Sequence, residues 1–312
     1  MGIATDIEWA DSTVNPTTGC DGCELWHVTN KGPCYAGQLH EGRLAKSLPN
    51  LYAANFTEVR LAPGRMAKAA AWSDLTGTNR PGRPWHDGMP RIIFVGDMGD
   101  IFSRDVPFAY LHEEIIQAAA SPKGQRHILM LLTKQATRAA AFDHWMAERG
   151  LAWPENVWQG VSITSEKTVR RAGLIMDHRA QTKFLSVEPL LGPVEIDPAV
   201  LRAFRLCIVG GESGPGARPC NIAWIRSIVR QCRAAGVACF VKQLGAFVAC
   251  RNDEVSNWFD QCLHLSLTPT ERFQGAPGRV VGFQDSKGGD PEEWPEDLRV
   301  REWPKLTWGG ER

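Results

Sequence analysis

Short apolar runs rich in β-branched residues alternate along most of this chain with longer stretches patterned at helical spacing. The runs lie at Arg91 to Gly96, His127 to Leu132, Asn156 to Val161, Lys183 to Val187, Arg205 to Gly210 and Val237 to Val241. Their length and composition predict six strands. Val106 to Ala120, with Pro107 near its start, and Asn221 to Ala235 predict helices between them. Spacing of about 20 to 40 residues from strand to strand suits parallel βα units, since a parallel pair needs a crossover of a dozen residues or more.

Two weaker strand candidates precede these, at Thr13-Val14-Asn15 and at Phe56 to Leu61, the second followed by a predicted helix from Pro63 to Trp72. Counting them gives eight strands. The expected architecture is therefore α/β: a (β/α)8 or partial TIM-type barrel over residues 1–245, with residues 246–312 as an extension or lid packed on it. An open doubly wound sheet is the alternative, because closure is not written in the sequence. The tail changes character from Ala246 onward, with Asn252-Asp253-Glu254, the run Ser286 to Pro291, and Trp294, Trp303 and Trp308.

Composition narrows the class. A chain of 312 residues that is 43% hydrophobic and 22% charged can bury a large core. Its formal net charge is zero, so no global field draws it to nucleic acid or anionic lipid. The opening Met1 to Glu8 lacks a basic run followed by an apolar one, and no segment approaches the ~18 apolar residues of a membrane span. A cytoplasmic protein with no membrane partner is expected. Nine cysteines, an odd number, fit a reducing compartment. Cys207, Cys220, Cys232, Cys239, Cys250 and Cys262 are expected reduced, and Cys207 and Cys239, inside apolar runs, read as buried small hydrophobes.

Cys20, Cys23 and Cys34 are different. They form a C-x2-C-x10-C pattern, with glycine beside the first two, and suit a loop wrapped around a metal. Three thiolates can hold three irons of a [4Fe–4S] cluster and leave the fourth iron for an exogenous ligand. With His27 or His40 added, the same thiols make a Cys3His zinc set.

The predicted strands end in polar residues: Asp97 and Asp100, Thr133 and Lys134, Ser162, Glu188, Glu212 and Ser213, and Lys242 with Gln243. In parallel βα folds such positions face the ligand. Asp97, Lys134, Glu188 and Lys242 are the candidate catalytic residues. Glu188 and Lys242 each follow an apolar run and would be costly there without a partner, and pairing with each other is the plainer account. The segment Val209-Gly210-Gly211-Glu212-Ser213-Gly214-Pro215-Gly216-Ala217-Arg218-Pro219 combines a compliant backbone with Glu212, able to grip an amine, and Arg218, able to grip a carboxylate or phosphate. It matches neither a Walker loop nor a GxGxxG fingerprint.

The run Ile7 to Cys20, then Cys34-Tyr35-Ala36, Leu132-Thr133-Lys134, Pro154 to Trp158, Phe184 to Pro193, Val209 to Pro219 and Lys242 to Gly245 together resemble the phage-associated three-cysteine protein family. The resemblance spans residues from about 7 to 245. Members of that family resemble radical S-adenosylmethionine enzymes and, distantly, spore photoproduct lyase. In this chain the close cysteine pair comes first and the lone Cys34 precedes Tyr35, whereas the family more often shows the lone cysteine first.

The resemblance implies a [4Fe–4S] cluster on Cys20, Cys23 and Cys34, with S-adenosylmethionine on the fourth iron and reductive cleavage to a 5′-deoxyadenosyl radical. It also implies an electron donor such as flavodoxin or ferredoxin. The candidate cofactor-binding positions are Tyr35, Ser162, Gly210, Gly211, Glu212, Ser213 and Arg218; Ser162 also reads as the start of a loop or a helix cap. A nucleobase, nucleotide or nucleic acid is the expected substrate class, with Trp26, Tyr35 and the tail tryptophans available for stacking, although tryptophans beside prolines more often pack. Two other classes remain open: a zinc-stabilised binding or accessory protein, and a hydrolase or nuclease holding Mg²⁺ or Mn²⁺ on Asp97, Asp100 and Glu188.

Overall fold

The computed structural model describes residues 2–26, 32–214, 216–251, 266–273 and 276–305. His27, Pro215, Asn252 to Glu254, Cys262 and Trp308 lie outside the described residues. Seven strands form one sheet: β1 (Ser12–Val14), β2 (Arg91–Val95), β3 (His127–Thr133), β4 (Val157–Ser162), β5 (Thr182–Val187), β6 (Leu206–Gly210) and β7 (Ala238–Gln243). Their order across the sheet is their order along the chain. The described pairings are parallel, with Ser12 opposite Ile93, Arg91 opposite His127, Leu129 opposite Val157, Phe184 opposite Leu206 and Ala238 opposite Leu206. A doubly wound sheet reverses its order at a switch point. An order that never reverses is that of a barrel wall.

All six secure sequence strands are present, and Thr13 belongs to β1. The eighth is not in this sheet. Of Phe56 to Leu61 only Arg60–Leu61 is extended, and it pairs antiparallel with Thr17–Thr18 in a separate two-stranded sheet. Phe56 is drawn elsewhere: its carbonyl accepts from the Cys20 N–H at 2.8 Å, and its ring packs on Cys20 and Trp26. A seven-stranded parallel sheet, rather than a complete (β/α)8 array, is what these residues build.

The chain divides into two compact units, one of residues up to 161 with 174–183, the other of residues 162–173 with 184–305. In the first, β2 and β3 are buried along nearly their whole length, as expected where both faces of a parallel sheet are covered. The helical run Phe108–Leu111, His112–Ile116 and Gln117–Ala120 meets the expectation for residues 106–120, with Pro107 as its N-cap and a π-helical turn in the middle. Arg65–Ala70 is the helix expected at 63–72. At the starts of β1 and β2, Asp11 meets Arg80 Nε at 3.0 Å and accepts from the Ile92 N–H at 2.8 Å, while Arg91 donates to Ser12 Oγ at 3.0 Å. This network is structural, lying at the strand ends opposite those that carry ligands in such folds.

In the second unit, helix α1 (Ile222–Ala235) begins where Asn221 Oδ1 accepts from the Ala223 N–H at 2.9 Å and ends at Gly236, with φ 70°. These are an ordinary helix start and stop. Cys207 of β6 and Cys239 of β7 are register partners, and both are buried, as is Cys232 of α1. Cys232 shares hydrogen bonds with both Cys207 and Cys239. Residues of the tail form three strands, Val248–Arg251, Ser266–Phe273 and Ala276–Gly282, which join Cys220–Asn221 in a four-stranded sheet. Trp294 is fully buried with its indole N–H on the Gly288 carbonyl at 3.0 Å, a packing role. No helix among the described residues is long and apolar enough to cross a membrane.

Candidate functional site

The chain leaves β1 through Asn15 and Pro16 and enters the cysteine loop at Gly19. Asn15 ties this exit to the end of β2: its amide donates to Asp97 Oδ1 at 2.5 Å, and its Oδ1 accepts from the Met98 N–H at 2.9 Å. Burial pushes the Asp97 carboxyl up, and the Asn15 bond pulls against it. Gly19 and Gly99 then bridge directly. A Cβ on Gly99 would strike the Gly19 carbonyl, so the loop can stack on the Gly96 to Asp100 turn only because residue 99 has no side chain.

The cysteines follow. The Gly22 N–H donates to Cys20 Sγ at 3.4 Å and the Leu25 N–H to Cys23 Sγ at 3.4 Å. Each sulfur of the close pair thus receives a backbone donor from two residues on, an arrangement that stabilises negative charge on sulfur. Cys23 and Trp26 exchange backbone bonds of 3.3 and 3.0 Å, and Cys34 is stitched to the same turn by its N–H on the Leu25 carbonyl at 3.2 Å. Cys34 packs against the Cys20, Trp26 and Phe56 cluster and is the N-cap of helix Tyr35–Leu39. Burial raises the Cys20 thiol, reinforced by Asp100; burial also raises Cys23, against the pull of the Lys134 ammonium.

Asp100 is enclosed beneath the loop. It accepts from Thr133 Oγ1 at 2.7 Å, the Lys134 N–H at 2.9 Å and the Phe102 N–H at 3.0 Å. Burial nevertheless raises its pKa. Gln135 completes the platform, donating to Gly22 O at 2.8 Å and Asp21 Oδ1 at 3.3 Å, while Asp21 Oδ2 accepts from the Arg104 N–H at 3.0 Å. Among the described residues, no group of three or more His, Cys, Asp or Glu already converges as a metal-binding set. What fits a thiophilic centre here is the donor chemistry: three cysteines on one stitched turn, two with N–H donors on sulfur. His40, an alternative fourth ligand, is buried with Nε2 on the Ala53 carbonyl at 2.8 Å.

The candidate residues of the second unit are occupied with one another. Lys242 Nζ lies 3.1 Å from Glu188 Oε1, and Ser186 Oγ donates to Glu188 Oε2 at 3.3 Å. Gly210 makes room for this pair, since a Cβ there would stand 2.8 Å from Glu188 Oε1. Glu212, buried, takes three bonds from Arg218: the backbone N–H at 2.8 Å, Nε at 2.8 Å and Nη2 at 2.6 Å. The two groups expected to hold an amine and a carboxylate hold each other, and the carboxylate keeps the Arg218 guanidinium firmly protonated. Gly211 is buried, Ser213 is exposed, and Ser162 is buried at the end of β4, where its carbonyl accepts from Arg171 at 3.3 Å. Tyr35 is 70% exposed, whereas Trp26, at 4%, packs edge-on against Phe56. Trp26 is therefore a packing residue.

Residues 4–281 match the family described as protein of unknown function (DUF5131). The chain belongs to that family. A search of curated proteins and a search of solved structures each found no match.

Sequence reasoning missed Asn15, Gly99, Asp21, Ser103 and Gln135. Asn15 and Gln135 were visible only as neighbours of better candidates, directly after β1 and just after Lys134. Ser103 Oγ, 3.5 Å from the Asp21 N–H, carried no local signal.

Proposed function

We propose that this protein is an iron–sulfur enzyme that uses S-adenosylmethionine to start radical chemistry. The observation that carries the reading is the stitched loop of Cys20, Cys23 and Cys34, with backbone N–H groups aimed at the first two sulfurs. A cluster bound there would supply one-electron reductive cleavage of the sulfonium. The residues of the chain would hold and shield it. Trp26 and Phe56 form an apolar wall against Cys20 and Cys34, which keeps water from the sulfurs. Asn15, Ser103 and Gln135 fasten the loop to the ends of β2 and β3. Placement at the carboxyl ends of parallel strands is where such folds carry chemistry. A nucleobase, nucleotide or nucleic acid remains the proposed substrate class, with exposed Tyr35 beside Cys34 as a stacking surface.

Anaerobic purification with iron, sulfide and zinc analysis tests the reading, followed by incubation with S-adenosylmethionine and dithionite. Iron with acid-labile sulfide and release of 5′-deoxyadenosine are expected. Stoichiometric zinc without sulfide, and no cleavage, would overturn it in favour of a zinc-stabilised protein.

A further inference from the structure

The corner Thr133-Lys134-Gln135 at the end of β3 is tied both to Asp100 and to the cysteine loop. Thr133 Oγ1 and the Lys134 N–H both bind the enclosed Asp100 carboxylate, at 2.7 and 2.9 Å. Those bonds fix the backbone of the corner. One residue on, the Gln135 amide reaches both residues that separate Cys20 from Cys23, Asp21 at 3.3 Å and Gly22 at 2.8 Å. Gly22 is also the residue whose N–H donates to Cys20 Sγ. Gln135 therefore holds the carbonyl of the peptide unit on one side of Gly22 while the N–H on its other side points at sulfur.

We propose that this corner is the outer shell of the thiolate centre, with Gln135 as the clamp that sets the Cys20–Cys23 loop. The inference rests on the iron–sulfur reading and adds to it the side chain that holds the loop. Outer-shell partners that orient ligands commonly govern metal retention by about ten- to a hundredfold.

The test uses full-length protein reconstituted anaerobically with ferrous iron and sulfide, comparing wild type with Gln135→Leu and Gln135→Glu. The rate of iron loss to a chelator reads retention, and electron paramagnetic resonance of the reduced protein reads the cluster. Both variants lack the amide donor and are expected to lose iron about tenfold faster than wild type. Gln135→Glu keeps a polar side chain of the same length and remains informative if Gln135→Leu misfolds. Wild-type protein that takes up no iron and sulfide overturns the iron–sulfur reading and this inference with it. Wild-type protein that takes them up, with Gln135→Glu losing iron at the wild-type rate, overturns the inference alone.

Discussion

The two units carry their chemistry-bearing side chains in opposite states. In the second, every charge that sequence analysis singled out has found a counter-charge within the unit: Lys242 on Glu188 at 3.1 Å, and Arg218 on Glu212 through two side-chain bonds of 2.8 and 2.6 Å. In the first, the Cys20 and Cys23 sulfurs face backbone N–H donors, and burial holds both as thiols. A buried carboxylate beside a guanidinium is already neutralised and satisfied. Buried thiols surrounded by donors become favourable as thiolates only when a metal supplies the missing positive charge. Partnering within the protein leaves the second unit's pairs satisfied, and on the reading proposed above the cysteine loop is the place for an added group.

Replacement of the cysteines should break this contrast most sharply. Cys20→Ala, Cys23→Ala and Cys34→Ala are each expected to reduce bound iron to background, measured by metal analysis after anaerobic reconstitution. Cys207→Ala and Cys232→Ala, which alter the buried thiols of the second unit, should retain wild-type iron. Equal loss from both sets would remove the distinction between the two regions.

Arg218→Ala tests the closed pair. It leaves Glu212 buried with one backbone donor, and because Arg218 itself is partly exposed the expected loss of stability is about 2 to 3 kcal/mol, below that of a fully buried pair. A urea midpoint equal to that of wild type would show that Glu212 needs no cation. Arg218→Lys should recover little, since a lysine cannot supply the forked contact.

The first unit also contains a buried neutral imidazole, which makes it sensitive to mild acid. His178 packs on Trp153, with ring centroids 4.6 Å apart, and its Nδ1 accepts from the Ala180 N–H at 3.1 Å. That bond requires Nδ1 to lack a proton. Burial, the leading cause, holds the His178 pKa down at about 4. The unfolded chain thus binds more protons than the folded one between the ordinary histidine value and pH 4. Stability is fully present above about pH 6.5 and falls as pH drops toward 4, with a loss of about 2 kcal/mol between pH 7 and pH 5. His178→Asn, which keeps an acceptor for Ala180, should flatten this dependence in denaturant titrations. An unchanged slope would mean that other groups cause it.

Gly210→Ala should have the smallest effect. The new Cβ meets Glu188 Oε1 at 2.8 Å and the Gln243 carbonyl at 3.2 Å, so the carboxylate must move off Lys242 at a cost of about 1 to 2 kcal/mol. A variant as stable as wild type would show that the pair has room to adjust.

The six strong strands were legible in the sequence because each is a short apolar run that a covered parallel sheet buries on both faces, and the helix at Ile222–Ala235 because Asn221 and Gly236 punctuate it. The cysteine loop was legible for a different reason: C-x2-C spacing is itself local geometry. Phe56 to Leu61 was misread because alternating composition predicts extension without naming the partner. Phe56 instead packs beside Cys20, a residue 36 positions earlier.

What the sequence determined by itself was everything carried by neighbours in the chain: strand and helix periodicity, the thiol spacing and the glycine-rich segment after Val209. Tertiary structure alone decided the non-reversing strand order, the mutual pairing of Glu212 with Arg218, and the grip of Gln135 on the residues between two cysteines, and it settled the pairing of Glu188 with Lys242 that the sequence could only suggest. Periodicity and spacing are properties of adjacent residues, whereas charge satisfaction depends on which strand ends the fold brings within about 3 Å of each other.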